Sequence, residues 1–197
     1  LNQDKSKLSK RQGDVSVEDY LNKGYLPETL INFVALLGWH PKDDTELFTL
    51  AELELFFSYK RIHKAGAVFD IEKLNWMNGQ YLKNLPIETI MKYAEPVFQS
   101  EEIDTGDFEK FKAVIENARK RANTIHEMIE HSIPFYTELQ YSYKDNNLLQ
   151  NEFSQKVLTY FSEKLMSQIN WTEVEIKSLV NETGEITSVK GKDLYAP

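Results

Sequence analysis

Helix punctuation constrains this chain more than any other property of its sequence. Ser16-Val17-Glu18-Asp19 and Thr172-Glu173-Val174-Glu175 each set a hydroxyl three residues ahead of a carboxylate. At that spacing the two side chains satisfy each other's unpaired amides at a helix start. Thr49 and Asp70 predict two further N-caps, and Pro27 and Pro86 suit a first turn, where no N–H is needed. Between these signals apolar residues recur at helical spacing: Leu30, Phe33, Val34 and Leu37; Leu50, Leu53, Phe56 and Phe57; Leu74, Met77, Tyr81 and Leu82; Ile90, Tyr93, Ala94 and Val97. A single long helix is expected over 108–130, with Phe108, Phe111, Ile115, Ala118, Ala122, Ile125 and Ile129 as its apolar stripe. Ser132-Ile133-Pro134 ends it, and two more helices are expected over 153–168 and from Thr172 to near Gly184. Strand-like alternation never persists, and Ile186-Thr187-Ser188-Val189 is the one ambiguous stretch. The pattern specifies an all-α fold, a bundle or cage of helices, and leaves no room for a parallel sheet.

The 197 residues can hold one large or two small domains. Hydrophobic residues make up 41% and charged ones 27%, an ordinary globular composition. No apolar run approaches the roughly 18 residues of a membrane span, and the polar N-terminus does not read as a signal peptide. With no cysteine there are no disulfides or thiolate metal sites, which fits a reducing compartment; a cytoplasmic location is expected. His40, His63, His126 and His131 lack metal-ligand spacing, since the last two are off the one-face interval of four, so no metal site is expected. The net charge of −8 argues against a general nucleic-acid binder. It leaves room for a local basic patch, because phosphate contact depends on one face and the net value can be set by another.

Lys7-Leu8-Ser9-Lys10-Arg11, followed by Gln12-Gly13-Asp14, places three cations within five residues beside a glycine. Ammonium, guanidinium and hydroxyl donors suit polyphosphate oxygens. Cations at a leaving pyrophosphate stabilise the transition state more than the ground state. The segment is not a P-loop, since no G-x-x-x-x-G-K-[ST] occurs. By itself the pentapeptide reads more readily as a solvated basic arm.

The run from Lys7 to Val17 resembles the K-M-S-K-S signature of class I aminoacyl-tRNA synthetases, in the form carried by bacterial glutamyl-tRNA synthetases. Leu8 stands in place of Met and Arg11 in place of the final Ser, both usual in that branch. Further segments resemble the family in the same order: Leu30-Ile31-Asn32-Phe33 through Leu36-Leu37-Gly38-Trp39, then Phe69-Asp70 with Lys73-Leu74-Asn75-Trp76-Met77-Asn78, then Gly191-Lys192-Asp193-Leu194-Tyr195-Ala196-Pro197. The resemblance spans essentially the whole chain. It implies tRNA stem-contact helices over 1–86, then helical anticodon-binding subdomains over 87–147 and 148–197. It also implies that both ends are cut, so that the glutamate and ATP pockets belong to a missing N-terminal half. Lys10 is then the residue that neutralises ATP phosphates during adenylation, with Lys7 and Arg11 supporting it. The implied partners are tRNA(Glu), L-glutamate and ATP with Mg²⁺, with neither ATP nor Mg²⁺ expected bound to this fragment, which is expected to bind tRNA as a monomer without catalysing aminoacylation. A glutaminyl enzyme is disfavoured, because its C-terminal half is built of β-barrels.

Other residues carry two readings each. Arg119-Lys120-Arg121, placed on the expected long helix, is either a solvated face beside Glu116 or a contact to the tRNA backbone and anticodon, with Arg119 and Arg121 ahead of Lys120. Lys60, Arg61 and Lys64 either complement a helix C-terminus or touch the inner corner of the tRNA. Trp39, Trp76 and Trp171 are expected in packing contacts. Tyr136, Tyr141 and Tyr143 are the candidates for stacking on splayed bases. The competing function is an all-helical protein-interaction domain with an incidental basic N-terminal arm, which leaves the ordered run of family segments unexplained.

Overall fold

The computed structural model describes residues 1, 6, 16–63, 66–138, 149–168 and 170–195. Among them there are helices and no strand; Trp39 and Ile62 form an isolated antiparallel bridge. The chain divides into two compact units, Leu1–Glu138 and Leu139–Pro197.

The first unit opens with α1 (Val17–Asn22), α2 (Pro27–Gly38) and α3 (Leu50–Phe56). Ser16 and Asp19 form the expected capping box of α1, and Thr49 and Glu52 form one for α3. Pro27 occupies the first turn of α2. α4 (Ile71–Asn84) starts at the Asp70 cap, and α5 (Ile87–Ser100) starts at Pro86. Beside a small cluster of Trp39, Phe48 and Leu53, two layers of core result. Tyr25, Leu30, Phe33, Leu74 and Met77 join α2 to α4. The larger cluster runs from Leu26, Tyr81 and Leu82 through Ile90, Ala94 and Phe98 to Phe111, Ile115, Met128 and Ile129. α4 therefore contributes to both clusters and is the spine of the unit.

The expected long helix over 108–130 is two helices, α6 (Phe108–Ala118) and α7 (Ile125–Ser132). The break has a local cause. Thr124 caps α7 by accepting from the Glu127 amide, while the Glu127 carboxylate accepts from the Asn123 amide at 2.6 Å. These bonds offer the backbone an alternative to continued helix. The stripe from Phe111 to Ile129 is buried on both sides of the break, so apolar periodicity survives where the helix does not; Phe108 is exposed. Arg119-Lys120-Arg121 thus forms a turn, not a helix face.

The second unit holds α8 (Glu152–Met166), α9 (Glu173–Thr187) and α10 (Lys192–Tyr195). Asn151 caps α8, and Thr172 and Glu175 form the expected capping box of α9. α9 does not stop near Gly184. Gly184 is buried where a Cβ would meet the Leu194 side chain at 2.9 Å, so it serves close packing against α10. The left-handed Ser188, at φ 56°, ends the helix, and Ile186 and Thr187 are helical.

Of the tryptophans only Trp39 is buried. Trp76 is 44% and Trp171 67% exposed, against the expectation of packing for all three. Trp76 lies on the outward side of the α4 stripe, next to buried Met77, and Trp171 precedes the Thr172 cap outside the helix, among exposed residues.

Candidate nucleic-acid interface

The 119–123 turn and the start of α7 are held from two sides, by α4 and by the α1–α2 connection. Asn78, fully buried, accepts from the Leu26 amide at 2.9 Å through Oδ1 and donates to the Asn123 carbonyl through Nδ2. Gly79, next along α4, lies so close to the turn that a Cβ would sit 2.6 Å from Asn123 Oδ1. From the other side the α1–α2 connection closes in. Gly24 takes φ +82° and accepts from the Ile125 amide, and the Asn22 carbonyl lies 2.8 Å from His126 Nε2. The turn and the start of α7 are thus bonded both to α4 and to the segment that follows α1.

Within this turn the three basic residues differ. The Arg119 side chain is 16% exposed. Its Nη1 donates to the Leu85 carbonyl, just past the last residue of α4, at 2.8 Å. Its Nε and Nη2 grip the two Glu116 oxygens at 3.0 and 3.3 Å, a forked ion pair. Lys120 and Arg121 are exposed, and Arg121 Nη2 donates to Asn117 Oδ1 at 2.9 Å. The outward cations are therefore Lys120 and Arg121.

The second basic run repeats this division. Tyr59–Arg61 is a single 3-10 turn after α3. Arg61 Nη2 donates to the carbonyl of Phe56, the last residue of α3, and its guanidinium lies 5.2 Å over the Trp39 ring. This matches the helix-terminus reading of that cluster for Arg61. Lys60 is exposed. The His63 ring packs edge-on against His40, 4.5 Å between centroids. A cavity of about 440 Å³ opens beside Arg61, and Lys42, Asp43, Glu52 and Arg61 give its lining no net sign.

A second buried amide supports the α2–α4 contact. Asn32 Oδ1 accepts from the Phe48 amide at 2.7 Å, and the Tyr81 hydroxyl reaches the same oxygen and the Phe48 carbonyl. Burial pushes the Tyr81 hydroxyl up to about 12, so it stays a donor at every physiological pH. Tyr136 is half-buried, with the Lys110 ammonium 4.6 Å over its ring. Lys7, Leu8, Ser9, Lys10, Arg11, Lys64, Tyr141 and Tyr143 lie outside the described residues.

Asn32, Asn78, Gly24 and the break at Asn123 carry no assignment in the sequence reading. One signal was available: Thr124 and Glu127 stand at the same hydroxyl–carboxylate spacing as Thr172 and Glu175. The two asparagines sit inside segments that carry the family resemblance, yet their partners are distant in sequence.

Comparison with known proteins agrees with this architecture. Residues 87–197 match the model of the "Anticodon binding domain", and residues 1–76 match that of "tRNA synthetases class I (E and Q), catalytic domain". A glutamate–tRNA ligase of Carboxydothermus hydrogenoformans is 38% identical over 100% of this chain and 42% of its own length. One from Aquifex aeolicus is 37% identical over 100% of this chain, again 42% of its own length. The chain therefore spans less than half the length of these relatives. The crystal structure of a glutamate tRNA ligase from Elizabethkingia meningosepticum superposes with a TM-score of 0.77 at 26% identity, covering 94% of this chain and 40% of that one. A helical interaction domain with an incidental basic arm would not produce matches of this extent. With the anticodon-binding model covering more than half of its residues, the chain belongs to that family, and its relatives along the full sequence are glutamate–tRNA ligases.

Proposed function

We propose that this chain is the tRNA-binding part of a glutamate–tRNA ligase, an enzyme that activates glutamate with ATP and transfers it to the 3′ end of tRNA(Glu). The observation that carries the reading is the match of the whole chain to such ligases, with an anticodon-binding domain over 87–197. The structure supports it by presenting Lys120 and Arg121 on a rigid turn and Lys60 on a second one. Exposed cations on ordered backbone position an RNA backbone. Residues 1–86 contact the tRNA stem, and the helices over 87–147 and 148–197 bind the anticodon arm.

Lys10 neutralises the phosphates of ATP, which enters with Mg²⁺ as substrate, and Lys7 and Arg11 hold the closed loop; this assignment rests on the motif. The chain acts in the cytoplasm as a monomer. Residues 1–197 alone do not aminoacylate, because more than half of the matched relatives' length lies outside the part that these residues match. Glutamate-dependent ATP–pyrophosphate exchange by the chain would refute that point. The central test is equilibrium binding to tRNA(Glu) and to a non-cognate tRNA across a salt series. Affinity should fall as salt rises and favour tRNA(Glu); equal affinity for the two tRNAs, or none at low salt, would refute the reading.

A further inference from the structure

The most basic tripeptide of the chain, Arg119-Lys120-Arg121, invites the view that all three cations meet phosphate. The geometry points to a different division of labour: Arg119 is a positioning residue that fixes the turn, while Lys120 and Arg121 make the RNA contact. This rests on the proposed tRNA-binding function and adds to it a specific role.

Four observations support the division. The Arg119 side chain is 16% exposed, which leaves little of its charge facing solvent. The Glu116 carboxylate, 3.0 Å from Nε, offsets that charge locally. Nη1 reaches 2.8 Å to the Leu85 carbonyl and 3.5 Å to that of Leu82, so the guanidinium caps the C-terminal end of α4, where carbonyls lack intrahelical donors. The turn itself is tight: Arg121 donates its amide to Ala118 O at 3.1 Å, as does Ala122 at 3.2 Å. Arg119 and Asn78 thus tie the turn to α4 at two points, one on each side of Lys120 and Arg121. Arg61 makes the same use of a guanidinium at the end of α3.

The division has a thermodynamic signature. A cation that meets phosphate releases counterions, so removing it lowers the slope of log affinity against log salt by about 0.7–0.9. A residue that orients other cations changes affinity without changing that slope. We take the parent chain and three variants: Arg119→Gln, Arg119→Lys and Arg121→Ala. Arg121→Ala should lower the slope by that amount and leave the hydrogen-exchange protection of the amides at positions 121 and 122 as it is. Arg119→Gln should weaken binding about tenfold at one salt concentration, equal to about 1.4 kcal/mol, keep the parent slope, and speed exchange of those two amides. Arg119→Lys is the stricter case. It keeps the charge, but a single ammonium cannot grip Glu116 with a fork and reach Leu85 together. It should therefore behave as Arg119→Gln does, and it covers the case in which the neutral variant does not fold.

Three results would overturn the inference: a lower slope in Arg119→Gln with exchange unchanged, parent-like binding by Arg119→Lys, or faster exchange with no loss of affinity. The first two would make Arg119 a phosphate ligand, and the third would make it a stabiliser of the fold alone. Failure of the parent chain to bind tRNA would overturn the underlying function instead, and the two failures differ in whether the parent binds.

Discussion

At the level of single residues, buried amides and one phenol do the work that the apolar pattern cannot. Tyr81 is buried, and its hydroxyl serves Asn32 and Phe48, elements 49 and 33 residues away. Tyr81→Phe should lower stability by about 1–3 kcal/mol, because a buried acceptor loses its donor. Urea unfolding checks this, and an unchanged midpoint would show that the bond adds nothing. Such contacts were not legible in the sequence. Tyr81 reads as one more apolar position in the α4 stripe, and Asn78 gains its role only when Leu26 and Asn123, 52 and 45 residues away, are folded against it. The basic residues were legible as clusters, but their division was not. Whether an arginine turns inward depends on a helix C-terminus elsewhere, at Phe56 for Arg61 and at Leu85 for Arg119.

Elements were more legible than residues, because caps are local. Ser16, Thr49, Asp70 and Thr172 start helices as their spacing implies. The break between α6 and α7 was hidden because one apolar stripe crosses it, although Thr124 and Glu127 signal a start within the stripe. The α9 cap carries a pH dependence. The Glu175 carboxyl is held below its ordinary value, first by its hydrogen bond with the Thr172 hydroxyl. A depressed carboxyl adds stability that is complete above its unfolded value, here the ordinary 4.5, and is lost as pH falls through the lower folded value. The first turn of α9 should therefore fray in that acid range, and Glu175→Gln should remove the dependence. An NMR titration of the Thr172 and Glu175 amides decides it, and identical titrations in both proteins would contradict the assignment. At the α1–α2 connection, Gly24→Ala would combine φ +82° with a Cβ 2.9 Å from the Ile125 nitrogen. It should destabilise by roughly 1–3 kcal/mol, measured as a lower midpoint in urea; a stability equal to that of the parent would mean that the Gly24–Ile125 approach opens freely.

For the molecule as a whole, the charge of −8 and the proposed RNA partner are compatible only if binding is local. Lys60, Lys120 and Arg121 stand outward on turns. The three apolar clusters of residues 1–138 close within that unit. Made alone, that unit should melt in one cooperative transition by calorimetry, and a broad, gradual loss of structure would contradict this. The all-α class followed from period and caps, whereas the division into compact units depends on which stripes meet, which no local pattern encodes. The most direct test of the central claim is a hydrogen-exchange footprint of the whole chain with saturating tRNA(Glu). The account predicts slowed exchange at 119–123 and 59–61, with a weaker effect under a non-cognate tRNA. Protection confined to other surfaces, with both turns unchanged, would contradict it.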